Sequence, residues 1–121
     1  MKLGAIYLQD RCVVPRVWHA VSAWERTRGL LGRPQLQPGE GMMIDACRLV
    51  HTVGMRYPLD LAFLDHTGRV RKLLHGVRPA RLAGSLRAER TLELAPGTLA
   101  ALNLQPGDVL TWRENGTERG A

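Results

Sequence analysis

The stretch Leu59-Asp60-Leu61-Ala62-Phe63-Leu64 constrains this chain more than any other. Leu59, Leu61 and Phe63 alternate with Asp60, Ala62 and Leu64, the period of a β-strand. Asp65-His66-Thr67-Gly68 reads as a tight turn, and Arg69 to Leu74 as the returning strand of a hairpin. A carboxylate set into so apolar a strand is costly unless paired, so Asp60 must have a partner.

The rest of the chain supplies more short strands. Leu3 to Leu8 and Val13 to Val21 read as two; Val17, His19 and Val21 share one side and Trp18 and Ala20 the other. Pro15 limits the start of the second or puts it at an edge. Ser22-Ala23-Trp24-Glu25 is a capping-box signature, predicting a helix from Ala23 to Leu31 with Trp24 and Leu31 on one face. Gly32 is placed to stop it and Pro34 to prevent continuation. Arg33 to Gly41 is a loop and Met42-Met43-Ile44 a short buried segment. Cys47 to His51 and Thr91 to Leu94 read as strands, and Pro96 opens a short helix reaching Leu102. Pro106-Gly107 suits a type II turn before a last strand, Val109 to Trp112.

About seven strands and two short helices, with no alternating βαβ rhythm, predict an α+β class. The expected architecture is a mostly antiparallel, curved or barrel-like sheet with one or two short helices packed on it. Residues 1–113 form the single domain and 114–121 a flexible C-terminal tail.

Composition bounds the function. The chain has 121 residues, 45% hydrophobic and 23% charged, which fits a single globular core and excludes disordered or collagen-like classes. Its formal charge of +6 invites a nucleic-acid reading. Against that, all the basic residues except Lys2 and Lys72 are arginines, a skew expected of a GC-rich genome, and they are scattered. Phe63 is the only phenylalanine, so no stacking platform is evident. Nucleic acid is disfavoured as a partner. No run approaches the roughly 20 apolar residues of a membrane span, and Leu3 to Leu8 is too short for a signal core. The expected location is cytoplasmic, with Cys12 and Cys47 reduced.

Gly29-Leu30-Leu31-Gly32-Arg33, Gly41-Met42, Pro58-Leu59-Asp60 with Phe63 and Asp65, Gly68, Leu92-Glu93-Leu94 with Gly97, and Gly107-Asp108 follow one another in a recognisable order. Over about residues 16 to 112 the chain resembles the family catalogued as domain of unknown function 192. Many members carry Trp-Met-Lys-Asn-Thr before Pro-Leu-Asp; here the matching positions read His51-Thr52-Val53-Gly54-Met55, a branch with His-Thr in place of Trp-Met. The resemblance implies a compact, mostly β domain and no established activity.

Cys47 to Asp60 is the stretch where chemistry concentrates. A catalytic reading makes Cys47 a thiolate, His51 its base and Asp60 the orienting acid. In a strand, however, Cys47 and His51 stand about 13 Å apart at about 3.3 Å per residue. A reversal near Gly54 to Pro58 would put His51 and Asp60 on neighbouring strands, about 5 Å apart. Each group also has a purely structural reading: Cys47 a small buried hydrophobe, His51 a satisfied histidine, and Met42, Met43 and Met55 core filling. A zinc site from Cys47, His51, His75 and Asp60 lacks a metal-binding spacing, so no metal or cofactor is expected. His19, His66 and His75 look isolated. The expectation is a binding or accessory module, with His51, Thr52, Met55, Arg56, Tyr57 and Asp60 lining a polar groove for a small molecule or a protein segment. A small hydrolase or transferase using Cys47 or His51, and a basic nucleic-acid accessory protein, are the alternatives.

Overall fold

The computed structural model describes residues 1–52 and 54–115. Nine strands and two helices are found among them: β1 (Lys2–Leu8), β2 (Arg11–Ala20), α1 (Ala23–Arg28), β3 (Glu40–Asp45), β4 (Leu49–His51), β5 (Leu59–Leu64), β6 (Val70–Val77), β7 (Leu82–Gly84), β8 (Arg90–Leu94), α2 (Thr98–Leu102) and β9 (Leu110–Glu114). Seven strands form one sheet in the order β6-β5-β8-β3-β2-β1-β9, and β4 pairs with β7 in a separate ribbon. The α+β class and the curved, mostly antiparallel sheet match the sequence reading. The β5–β6 hairpin is as expected. The strand β7 and the extension of Met42-Met43-Ile44 into β3 are additions, and β9 runs through Glu114. Of the expected tail, the Asn115 amide donates to the Leu3 carbonyl at 2.9 Å, and residues 116–121 lie outside the described residues.

One pair departs from antiparallel. β2 and β3 run parallel, with Arg16 opposite Glu40 and Ala20 opposite Ile44, so β2-α1-β3 is a single crossover unit. Ser22 caps α1 by accepting from the Glu25 amide while the Glu25 carboxylate accepts from the Ser22 amide, as the sequence predicts. The helix stops at Arg28, a turn earlier than expected, because Gly29 leaves helical geometry at φ +52 and ψ −126. Trp24 then stands 71% exposed, and it is Leu30 that enters the core. Pro15 falls at a bulge, where β1 steps from Gly4 to Ile6 while β2 steps from Val17 to Val14; its missing N–H costs no ladder bond there.

The sheet curls until its two edges touch at one end. The Val70 amide donates to Asp108 (2.8 Å) and the Gly107 and Leu110 amides donate to Val70 (2.8 Å) and Gly68 (2.9 Å). Gly68 is needed here: its φ is +87 and any side chain would strike the Leu110 carbonyl.

Each face of the sheet has its own core. Ala62 and Leu64 of β5 look into one, with Ile6, Val17, Leu92, Leu94 and Leu99 of α2. Leu59, Leu61 and Phe63 look into the other, with Met42, Ile44, Leu30 and Val50. All six residues of β5 are therefore buried, not only alternate ones. The second core is roofed by the chain after α1 and by the β4–β7 ribbon, and this roof carries the site.

Candidate functional site

Asp60 and His51 lie on opposite sides of the main sheet. Asp60 sits between Leu59 and Leu61 and so faces the first core, opposite Leu94. Its Oδ1 accepts from the Gly76 amide at 2.8 Å and its Oδ2 from the Leu99 amide at 2.9 Å. Both donors need it. β6 bulges opposite Asp60, where Val77 pairs with Leu59 and Leu74 with Leu61, which takes the Gly76 amide out of the ladder. The N-cap of α2 is Gly97, which has no side chain to cap the first turn. The acid does have a partner, as its burial requires, but the partner is backbone. The expected His51–Asp60 pair is corrected on that account. His51 is exposed at the end of β4, opposite Leu82.

Thr52 is also a structural tie. It is fully buried; its hydroxyl donates to the Arg78 carbonyl at 2.7 Å and accepts from the Arg81 amide at 2.9 Å. Met55, Arg56 and Tyr57, by contrast, line an open hollow of about 370 Å³ together with Leu30–Arg33. A second hollow of about 200 Å³ lies on the other side of Leu30, Leu31 and Met55, which line both. His51, Arg26, Arg28, Cys47 and Glu93 line this second one. The Gly29-Leu30-Leu31-Gly32-Arg33 loop is thus the wall between two adjoining hollows.

That loop is braced by its own arginines. The Arg28 Nε donates to the Leu31 carbonyl (3.1 Å) and the Arg33 Nε to the Gly29 carbonyl (2.9 Å), bracing the turn that follows α1. Tyr57 accepts the Leu36 amide at 3.2 Å, and among the described residues nothing accepts its phenol proton. Burial pushes the Tyr57 phenol above its ordinary range, so it stays protonated.

Glu93 escapes the expected site. It lies in β8 between Met42 of β3 and Leu61 of β5, on the second-core face. Its residue is 5% exposed, and burial pushes its carboxyl up to about 7. Among the described residues no hydrogen bond or ion pair reaches it. The signal was available: an acid between Leu92 and Leu94, the pattern that marks Asp60. Arg26, also missed, has a buried Nε with no acceptor.

The thiol reading weakens. Cys47 is half-buried and its Sγ donates to the Leu49 carbonyl at 3.3 Å. Burial raises its pKa, so the nucleophilic thiolate is scarce at neutral pH. Among the described residues, no three His, Cys, Asp or Glu side chains gather as a metal site. His66 and His75 are exposed, but His19 is not isolated: its Nε2 lies 2.8 Å from Asp45 Oδ1 and its ring rests on Trp112 at 4.6 Å. No helix among the described residues is long and apolar enough to cross a membrane.

A family model described as uncharacterized ACR matches residues 6–112. Among solved structures, the chain is similar to a Sinorhizobium meliloti 1021 protein described as a candidate transcription regulator. The two are 27% identical with a TM-score of 0.77, covering 92% of each chain. It is also similar to a protein of unknown function from Novosphingobium aromaticivorans DSM 12444. That pair is 23% identical with a TM-score of 0.78, covering 91% of this chain and 84% of the other; this likeness speaks for the fold alone. A comparison with curated proteins finds no match.

Proposed function

The chain belongs to the domain of unknown function 192 family, and from that premise we propose that it is a small-molecule-binding module whose ligand lies in the two hollows beside Leu31 and Met55. The observation that carries this reading is Glu93. A fold gains nothing from an unpaired carboxyl at the edge of its core; a ligand donor gives it a use. The larger hollow, about 370 Å³, falls within the usual range for small-molecule sites. Of the groove residues expected from sequence, His51, Met55, Arg56 and Tyr57 remain ligand contacts in this proposal, while Thr52 and Asp60 support the frame. The Cys47 reading of catalysis has less support, because burial raises the pKa of that thiol.

The Sinorhizobium description suggests nucleic acid as another occupant. Arg26, Arg28, Arg33 and Arg56 do line the hollows, but a buried acid among them suits a small ligand better than a phosphate backbone. Amide NMR titrations with small polar compounds and with duplex DNA test the proposal. A small compound is expected to move the amides of 29–33, 47–51 and 54–57 together. If none does, or if only DNA does with steep salt dependence, the proposal falls.

A further inference from the structure

The smaller hollow holds two buried polar groups of opposite sign, and neither answers the other. Glu93 has an apolar neighbour on each side in the sheet, Met42 and Leu61. Its Oε1 lies 3.6 Å from where a Cβ on Gly29 would stand, so the carboxyl points toward the end of α1, where the chain carries no side chain. Arg26 lines the same hollow, and its Nε is buried with no acceptor among the described residues. Among the described residues no ion pair joins the two. A carboxyl without a donor in a residue only 5% exposed and a buried N–H without an acceptor are each costly on their own. The two residues line one hollow, and together they describe its occupant.

We propose that this hollow takes a small zwitterion, an α-amino acid, whose ammonium group donates to Glu93 and whose carboxylate accepts from Arg26. The inference rests on the binding-module reading and supplies its ligand class. The two ligand charges are a few atoms apart, which suits two protein groups that share one small hollow without meeting. The ligand side chain then passes Leu30, Leu31 and Met55, the residues common to both hollows, toward Tyr57 and Arg56 in the larger one. The other titratable or charged groups around Glu93 are Arg28 from α1, Cys47 before β4, His51 in β4 and Tyr57 from the larger hollow. None of them supplies a carboxylate, so the ligand ammonium has one anionic partner in this hollow. An ammonium beside Glu93 favours its ionised form, so binding and proton release from Glu93 are coupled.

The test titrates the full chain with the coded amino acids in the millimolar range, read by calorimetry and amide NMR. For the best binder, two half-ligands follow: the matching amino alcohol, which lacks the carboxylate, and the matching carboxylic acid, which lacks the amine. At least one amino acid is expected to saturate, with shifts at 29–31 and 47–51. Each half-ligand, and each of Glu93→Gln and Arg26→Gln, is expected to bind about tenfold more weakly or worse. Should a variant not fold, the Glu93 carboxyl carbon of the unaltered chain serves instead; its apparent pKa is expected to fall when the amino acid is added. Saturation by no amino acid overturns the inference, as does a half-ligand that binds equally well. If another class of small compound moves the same amides, only the ligand class is wrong; if nothing moves them, the binding reading fails with it.

Discussion

Replacing Glu93 with glutamine should make stability less sensitive to pH, and the size of the effect follows from its surroundings. Burial lifts the Glu93 carboxyl from 4.5 to about 7. At about 1.36 kcal/mol per pH unit, that separation corresponds to roughly 3 kcal/mol. Below about pH 4.5 the carboxyl is protonated in both folded and unfolded chains, so it imposes no penalty. As pH rises toward 7 the unfolded chain ionises while the folded one resists, and stability is lost. Above about 7 the penalty is complete. Glutamine keeps the shape and has no charge to lose. Urea unfolding of both proteins between about pH 5 and pH 9 gives the difference directly, and subtracting the curves removes the histidines they share. The glutamine variant should gain about 3 kcal/mol on the parent across this range. With urea slopes of about 1–3 kcal/mol per molar, the midpoints should separate by roughly 1–3 M. A difference that stays constant with pH would refute the reasoning. So would a parent that gains on the variant as pH rises, since that requires a cation paired with Glu93.

Three further outcomes follow. Asp60→Ala strands the Gly76 and Leu99 amides, each worth about 1–3 kcal/mol when left unpaired, so urea unfolding should show a loss of about 3–5 kcal/mol. His51→Ala should stay within about 0.5 kcal/mol, because the exposed imidazole takes no part in that tie. Asp65 accepts from the Thr67 hydroxyl and from the Thr67 and Arg69 amides and pairs with Arg71, which holds its carboxyl below the ordinary 3.8. It therefore stabilises the fold above that value and stops doing so as pH falls below it, so the gap between parent and Asp65→Asn should narrow in acid. Under native conditions near neutral pH, an alkylating reagent followed by mass spectrometry should label exposed Cys12 before Cys47; faster labelling of Cys47 would reopen the nucleophile reading.

Local pattern carried the frame of this fold. The β5–β6 hairpin, the Ser22 capping box and the Gly107 turn are short-range features, and adjacent residues suffice to specify them. The end of α1 did not follow, because Gly29 and Gly32 are both suited to stop a helix, and the choice depends on Leu30 entering the second core. Asp60 shows where local reasoning stops. Its burial requires a partner, and that holds; which partner depends on the face of the sheet, and that is set by α2 and the Gly76 bulge arriving later in the chain. His51 is nearer in sequence and on the wrong side. Glu93 is the converse case. In a sheet with one wet face, an acid alternating with Leu92 and Leu94 would point to solvent. Here the roof formed by the Gly29–Arg33 loop and the β4–β7 ribbon covers that face, so the same alternation buries it.

The direct measurement is a carbon-detected NMR titration of the Glu93 carboxyl, assigned by its absence in Glu93→Gln. An unpartnered carboxyl at the floor of the hollow is expected to titrate near 7 in the ligand-free protein. A midpoint at or below the ordinary 4.5 would mean that the carboxyl is solvated or already paired, and the hollow would lose the group that gives it a purpose.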